Sequence, residues 1–250
     1  GIEAYNATVG EPDSGVVKQL RIELPARGVK QVRPVKEGQG IKWLASVTPP
    51  AYVDALCAAL RQTTPDKRRA LLRVLRVAQG PQALEAVRGA TKDADATVRA
   101  EAISIICAWS SVEVLPEVLS LTKTATDQKV KILALRGAIR LIPVQEISEQ
   151  EKLAGFEDLL PLIQRTEEKR LLLGSLAAVP APQALDMTLS YMDDDATKNE
   201  ACVAAVAIAE KLAPGNHATL MAGIMQKVLK TTSINSIKKR ARQVLQKTRQ

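Results

Sequence analysis

The chain has 250 residues, and 46% of them are apolar, which is enough to form a hydrophobic core. Only six residues are aromatic, so Ala, Leu, Val and Ile must fill that core, as they do between closely packed helices. One of the two longest uncharged runs covers residues 171–185 and contains two prolines. This run is too short and too interrupted to cross a bilayer as a helix.

The net charge of +8 comes from one end of the chain. Residues 227–250 contain eight basic and no acidic residues, whereas residues 1–226 contain basic and acidic residues in equal number. A surface that bound nucleic acid along its whole length would carry its positive charge along that length. We therefore interpret the basic segment as the solvent-exposed outer face of a terminal helix.

Residues 1–42 have the pattern of β-strands. Between residues 20 and 24 apolar and charged residues alternate, which is the period of a half-buried strand, and residues 29–35 are compatible with a second strand. Two strands alone cannot bury a face in water. We expect the segment either to pack on the first helices or to be the remainder of an upstream domain, so we assign residues 1–42 and 43–250 to separate domains.

From residue 50 onward, helical periodicity and breaks at Pro, Gly and Asp predict six pairs of helices. Ser148 and Glu151 have the spacing of a capping box at the start of one of them. The predicted pairs cover residues 50–62 and 66–78, 81–91 and 95–109, 112–123 and 127–142, 148–165 and 167–178, 182–192 and 195–212, and 216–230 and 233–248.

A cationic residue followed three positions later by Ala or Leu recurs near the start of the second helix of every predicted pair. Successive copies are separated by 32, 32, 38, 29 and 40 residues. A helical unit that recurs at this interval is typical of stacked helical-repeat proteins. The six copies are Lys67/Ala70, Arg99/Ala102, Lys131/Ala134, Lys169/Leu172, Lys198/Ala201 and Lys238/Ala241.

Three of these copies resemble a known family. Residues 93–102 read Asp-Ala-Asp-Ala-Thr-Val-Arg-Ala-Glu-Ala and resemble the HEAT-repeat consensus, in which an Asp-bearing turn precedes a Val-Arg-x-x-Ala helix. Residues 126–131 resemble it with Lys in place of Arg, and residues 193–198 are similar but lack the Val. The resemblance covers about residues 50–250 and is specific for architecture.

The resemblance implies a right-handed, all-α solenoid of about six helix pairs, whose second helices line the concave face. It also implies an inter-repeat ladder, in which the Asp of each turn and the cation of the next helix cap helix starts and bridge layers. It implies no activity, because fold and function are separate inferences. The expected ladder residues are Asp66, Asp95, Arg99, Asp127, Lys131, Asp194 and Lys198.

Residues 167–212 are also similar to HEAT tracts of large secreted bacterial multidomain proteins. This second resemblance implies that the chain is part of such a protein, and it favours an extracytoplasmic over a cytoplasmic location. The three cysteines lie in apolar helical stretches and indicate neither a disulfide framework nor a metal site, so they leave the compartment open.

Arginines on the second helix of the first pair are the main candidates for a binding surface. Arg69, Arg73 and Arg76 are spaced so that they share one face of the helix, and Arg is suited to binding carboxylate or phosphate. The alternatives are a solvated face or a contact with the N-terminal strands. Trp109 and Arg140, further along the predicted concave side, complete the expected surface, because Trp and Arg often anchor interfaces.

Two other motifs favour structural roles. The three acids at 193–195 precede a helix start, where the helix dipole favours Asp, and they lack the spacing of a calcium site. His217 is the only histidine, and no motif marks a nucleophile or a metal cluster beside it. The sequence therefore predicts no catalytic residue, no cofactor and no metal site.

These observations predict a non-catalytic binding or scaffolding module, whose concave face contacts a protein or a neighbouring domain of the same chain. The alternative is a nucleic-acid-binding protein that resembles the HEAT-like alkylpurine DNA glycosylases. Those proteins depend on a basic concave channel with aromatic residues and a carboxylate. Residues 43–226 carry a net charge of −2 and few aromatic residues, so base stacking would have few platforms.

Overall fold

The structure, a computed structural model, describes residues 50–212 and 217–248. Every regular element in these two ranges is helical, and the predicted β segment and domain boundary lie outside them. The twelve α-helices of the described residues are α1 (Pro50–Arg61), α2 (Pro65–Ala78), α3 (Pro81–Ala90), α4 (Ala96–Cys107), α5 (Leu115–Thr124), α6 (Gln128–Leu141), α7 (Glu149–Leu159), α8 (Thr166–Leu176), α9 (Pro182–Met187), α10 (Lys198–Lys211), α11 (Ala218–Thr231) and α12 (Asn235–Lys247).

Side chains that cap the backbone begin several of these helices. Asp95 accepts hydrogen bonds from two backbone N–H groups in the first turn of α4, at 2.9 and 3.1 Å. Asp127 accepts one at the start of α6, at 2.7 Å. Ser148 and Glu151 form the predicted capping box of α7. Each cap satisfies donors that the helix itself leaves unpaired, and so fixes where the helix begins.

One helix in each of the fourth and fifth pairs ends earlier as an α-helix than the sequence predicts. The predicted helix over residues 148–165 ends as an α-helix at Leu159 and continues as a 3₁₀ turn at Leu160–Leu162, which contains a proline. In the fifth pair, α9 ends at Met187 and is followed by the 3₁₀ segment Leu189–Asp193. Proline removes a backbone donor and clashes with the preceding turn, which explains the first of these breaks.

In five of the six predicted pairs the two helices pack directly on each other, and the pairs stack in chain order, so the described residues form an all-α solenoid, as predicted. A continuous set of buried Ala, Leu, Val and Ile side chains fills the space between the two layers of helices. Phe156 and Trp109 are the two largest side chains in this core, and each is at most 1% exposed. Burial of such side chains supplies most of the free energy that holds a repeat stack together.

The second helices of the pairs, α2, α4, α6, α8, α10 and α12, form one continuous layer. Each of them packs directly on the next along the whole stack, whereas successive first helices contact one another much less. In a curved stack the helices of the inner layer lie closest together. The second helices therefore form the more closely packed layer, and the resemblance implied that this layer lines the concave face.

Gly137 allows the closest approach within this layer. A Cβ atom at this position of α6 would collide with the backbone carbonyl oxygen of Cys107, at the end of α4, and would also crowd Val118 at 3.1 Å. Glycine is therefore required by close packing between helices here, and its cost in helix stability is offset by that contact.

Candidate binding surface on the second helices

The apolar residue of the recurring motif belongs to the core in five of its six copies. In the first copy Ala70 is exposed, and Leu72, two residues later, is the buried residue instead. The cation that corresponds to the other five is therefore Arg69, not Lys67. The five buried residues, each 0% exposed, are Ala102, Ala134, Leu172, Ala201 and Ala241.

The buried positions of the motif show which side of each second helix faces away from the core. The residue two positions after each buried motif residue is at least partly exposed, and we call this row of residues the second-helix face. Because every repeat contributes the same position, the row continues from α2 to α12. Its residues are Val74, Ser104, Arg136, Gly174, Val203 and Gln243.

Two of the three arginines predicted to bind a partner hold two repeats together. Arg73 donates hydrogen bonds to both oxygens of Glu101 on α4, at 2.9 and 2.8 Å. Arg69 lies 3.6 Å from the same carboxylate. The hydrogen bond from Arg73 is the main reason that the pKa of the Glu101 carboxyl lies below its ordinary value. The expectation that Arg69 and Arg73 are free for a ligand is therefore corrected.

The Arg–Glu contact recurs at four of the five junctions between successive second helices in the described residues. It was not predicted, although the charges that pair are about one repeat length apart in the sequence, and this spacing could have revealed them. The four pairs are Arg73–Glu101, Arg136–Glu168 at 2.6 Å, Arg170–Glu200 at 3.1 Å and Arg240–Glu210 at 2.7 Å.

The predicted inter-repeat ladder differs from the contacts that form. Asp95 and Asp127 cap their own helices. Because the Asp95 carboxylate accepts backbone N–H groups, Arg99 instead donates to the carbonyl oxygens of Asp93 and Ala94 in its own turn, both at 2.7 Å. Asp66 lies 3.7 Å from Arg69 on the same helix, and Lys131 forms no ion pair with any described residue. These residues stabilise single repeats.

The ion pairs that do join successive repeats near these turns involve other cations than the predicted ones. Arg68 reaches forward to Asp93 at 3.3 Å, and Lys169 reaches forward to Asp194 at 3.2 Å. Lys198, which was expected to pair with Asp194, contacts Asp195 at 2.6 Å instead. The bridging cation therefore belongs to the second helix of the preceding pair and not to the helix that follows the turn.

The three consecutive acids 193–195 each contact a different lysine. Asp193 accepts from Lys227 at 2.8 Å, and the two acids that follow it contact the lysines named above. A backbone N–H bond and the lysine contact both lower the pKa of the Asp194 carboxyl, the backbone bond more strongly. Among the described residues, no group of three or more His, Cys, Asp or Glu is arranged to hold a metal ion.

Trp109 lies inside the core and not on the binding surface. Its side chain is 1% exposed, and α4 ends before it, at Cys107. The predicted role of Trp109 as a ligand contact is therefore wrong, because its indole is covered by neighbouring helices. Its backbone carbonyl oxygen accepts a hydrogen bond from Arg140 Nη2 at 2.5 Å.

Arg140 and Arg76 form the part of the predicted surface that the fold brings together. Arg140 is half-buried near the end of α6, and its Nη2 also donates to the Cys107 carbonyl oxygen at 3.3 Å. Burial lowers the pKa of Arg140, and the nearby positive charge of Arg76 lowers it further. Arg140 lies at the junction between α4 and α6. Among the described residues this is the one junction between successive second helices that has no Arg–Glu pair.

Gln79 lies next to these arginines and has an unusual backbone conformation. Its φ of 58° and ψ of −173° lie in a region that is essentially restricted to glycine. It is the only described residue other than glycine with positive φ. Its side chain accepts a hydrogen bond from Ser110 Oγ at 2.7 Å and donates one to the Arg76 carbonyl oxygen. The sequence gives no sign of this strain, because Gln has no preference for such a conformation.

The length and apolar content of each helix show whether it could span a membrane. No helix within residues 50–212 or 217–248 is both long enough and apolar enough to span a bilayer.

A solenoid of paired helices joined through one layer is the architecture of helical-repeat binding proteins. Residues 53–139, which extend from α1 into α6, match the protein family described as HEAT repeats. This segment therefore belongs to the HEAT-repeat family, and the resemblance seen in residues 93–102 is confirmed. The helix pairs that follow it continue the same architecture.

Two further comparisons concern relatives of the whole chain. The crystal structure of an engineered protein is similar to it, with 19% sequence identity, a TM-score of 0.46, and coverage of 79% of this chain and 96% of that chain. No match is found among curated proteins.

Proposed function

We propose that the chain is a non-catalytic binding or scaffolding module, and that its second-helix face contacts a protein or a neighbouring domain of the same chain. The observation that carries this proposal is the position of exposed apolar side chains. Within the twelve described α-helices, the large apolar residues that remain exposed are Val74, Val77 and Val203, at 48%, 37% and 41%. All three lie on second helices, and two occupy the second-helix face.

The surroundings of these valines support a protein partner. Arg73 and Arg76 flank Val74 on α2, and Glu101 pairs with the first of them. Glutamates of later repeats pair with three further arginines of the same layer. Apolar groups surrounded by paired charges are typical of protein interfaces, in which a dry centre is enclosed by a polar rim. A scaffold that contacts a protein would use such a surface.

The alternative, nucleic-acid binding, has less support from the same residues. Base stacking needs exposed aromatic side chains, and Trp109, the aromatic residue expected near the concave side, is buried. Phosphate binding along the layer needs unpaired cations, whereas four of its arginines are paired with glutamates. These observations favour a protein surface as the partner of the second-helix face.

The proposal is tested by crosslinking in the native cells. A photo-crosslinking amino acid is placed at Val74 and Val203 on the second helices, and at Ser120 and Gln226, which are exposed on first helices, as matched controls. We expect a defined crosslinked protein, identified by mass spectrometry, from positions 74 and 203 only. The purified partner should then bind the Val74→Asp variant at least tenfold more weakly, with an unchanged melting temperature. Crosslinks that come equally from positions 120 and 226 would contradict the proposal.

A further inference from the structure

The α4/α6 junction differs from every other junction in the layer of second helices. The other four junctions carry an arginine and a glutamate that neutralise each other. At this junction Arg140 of α6 instead donates to the backbone carbonyl oxygens of Cys107 and Trp109. The end of α2, which carries Arg76, is held close by through Gln79 and Ser110. Neither arginine forms an ion pair with any described residue. Two arginines without a paired glutamate among the described residues are therefore found together here, whereas the arginines at the other four junctions are paired.

Both arginines keep donors that are available to a ligand. Arg140 uses only Nη2 for the carbonyl oxygens of Cys107 and Trp109, and its Nε and Nη1 have no hydrogen-bond partner among the described residues. Both atoms keep some contact with solvent, since neither is among the fully buried polar atoms that lack a partner. Arg76 is exposed, with its whole guanidinium free of such partners in the described residues. Two guanidinium groups with free donors match a carboxylate or a phosphate.

The surrounding backbone is held in place by strain and by hydrogen bonds. The Gln79 side chain connects the carbonyl oxygen of Arg76, at the end of α2, to the hydroxyl group of Ser110, after α4. Arg140 fixes the neighbouring Trp109 carbonyl oxygen from α6. Backbone strain of the kind found at Gln79 persists only where surrounding contacts enforce it, and it is concentrated at functional sites. Three successive repeats thus meet at one rigid point.

We infer that Arg76 and Arg140 form a binding site for the carboxylate side chains of an acidic segment in a protein partner. The inference rests on the proposed function, since it assigns chemistry to one part of the same layer. The choice of partner follows from charge complementarity. Two guanidinium groups without a paired carboxylate are best neutralised by several adjacent negative charges, which a run of Asp or Glu provides. The apolar residues Val74 and Val77 on the same helix fit a peptide better than a small free anion.

The test uses the full chain and acetylated hexaglutamate as the probe, with binding measured by isothermal titration calorimetry at about 0.15 M salt. The key variant is Arg76→Glu, and its matched control is Arg242→Glu, an exposed residue of α12 whose substitution changes the net charge equally. We expect Arg76→Glu to weaken hexaglutamate binding at least tenfold and Arg242→Glu less than twofold. Because Arg76→Glu places a carboxylate beside Arg140, it should also raise the melting temperature.

Four outcomes would overturn the inference. The first is that the wild-type chain does not bind hexaglutamate, and the second is that the two variants weaken its binding equally. The third is a lower melting temperature of Arg76→Glu. The fourth is that the wild-type chain binds inorganic phosphate more tightly than hexaglutamate. The crosslinking experiment separates this failure from failure of the proposed function. Crosslinks from positions 74 and 203 that persist in Arg76→Glu would leave the module intact and remove only the carboxylate site.

Discussion

Glu168 is the most deeply buried charged side chain among the described residues, with 1% of its surface exposed. Arg136 of the preceding second helix contacts its Oε1 at 2.6 Å, and Arg165 lies 3.7 Å from its other oxygen. A buried carboxylate without such partners would lose hydration and gain nothing in return. Arg136 is therefore a structural residue, although it also belongs to the second-helix face.

Replacing Arg136 by Ala should lower the free energy of unfolding by about 1–3 kcal/mol, because Glu168 would remain buried with only one distant partner. The matched control is Arg240→Ala, which removes the equivalent pair with Glu210, where both side chains are partly exposed. Arg240→Ala should lower the free energy of unfolding by less than about 1 kcal/mol. Urea denaturation measures both values. Equal losses for the two variants would show that burial of Glu168 does not set the strength of its pair.

The thiol groups give a second test at the scale of single residues. Burial raises the pKa of Cys107 and of Cys202 to about 11. At about pH 8 only about one thiol in a thousand is then a thiolate, the form that reacts. We expect Ellman's reagent to modify half-buried Cys57 first and the other two only after unfolding in guanidinium chloride. Rapid modification of all three in the native protein would contradict the buried positions of Cys107 and Cys202.

At the scale of the elements, α4 and α6 approach each other where Gly137 faces the end of α4. Gly137→Ala should lower the free energy of unfolding by about 1–3 kcal/mol, because its methyl group would collide with the Cys107 carbonyl oxygen. Gly174→Ala is the matched control, since a Cβ atom there meets nothing within 4 Å. It should be neutral or stabilising by up to about 1 kcal/mol, because Ala favours a helix over Gly. Thermal unfolding followed by circular dichroism distinguishes the two variants.

Most of the helical architecture could be predicted from the sequence because its signals are local. The capping box at residues 148–151 and the prolines between helices act within one turn of chain, so spacing alone identifies them. The six pairs follow from such signals and from the repeat interval. The exposed position of Ala70 was missed, because motif matching placed the first copy two residues too early and only packing shows that Leu72 is buried.

The binding surface was harder to predict, because it depends on how helices of different repeats are rotated relative to each other. The shared face of Arg69, Arg73 and Arg76 follows from helical spacing, but the meeting of the first two with Glu101 depends on the packing of α2 against α4. The burial of Trp109 likewise depends on the turn that follows Cys107. Sequence spacing identified the residue types suited to binding, and packing decided which of them are left free.

At the scale of the whole molecule, the Arg–Glu pairs make the stack sensitive to acid. Folding lowers the pKa values of the Glu101 and Glu210 carboxyls below their ordinary value of 4.5, mainly through hydrogen bonds from Arg73 and Arg240. The unfolded chain then binds protons more readily than the folded chain below pH 4.5. Stability from these pairs is therefore complete above that pH and declines as the pH falls through the lower folded values.

We expect the urea midpoint to fall as the pH decreases from about 6 to about 3. The double variant Glu101→Gln/Glu210→Gln should be less stable than the wild type at neutral pH, yet lose less of its midpoint on acidification. Glu157→Gln serves as a control, because Glu157 is exposed on α7 and has no ion pair among the described residues. An acid dependence that is the same in the double variant and the wild type would contradict the proposed role of these pairs.

The unequal contact within the two layers of helices has a mechanical consequence. The second helices touch along the whole stack and are joined by ion pairs, whereas successive first helices touch much less. When such a stack bends, the well-joined layer keeps its length and the loosely joined layer opens or closes. The spacing between second helices is therefore expected to change least when the solenoid bends. A ligand bound along these helices would keep its contacts while the curvature of the solenoid changes.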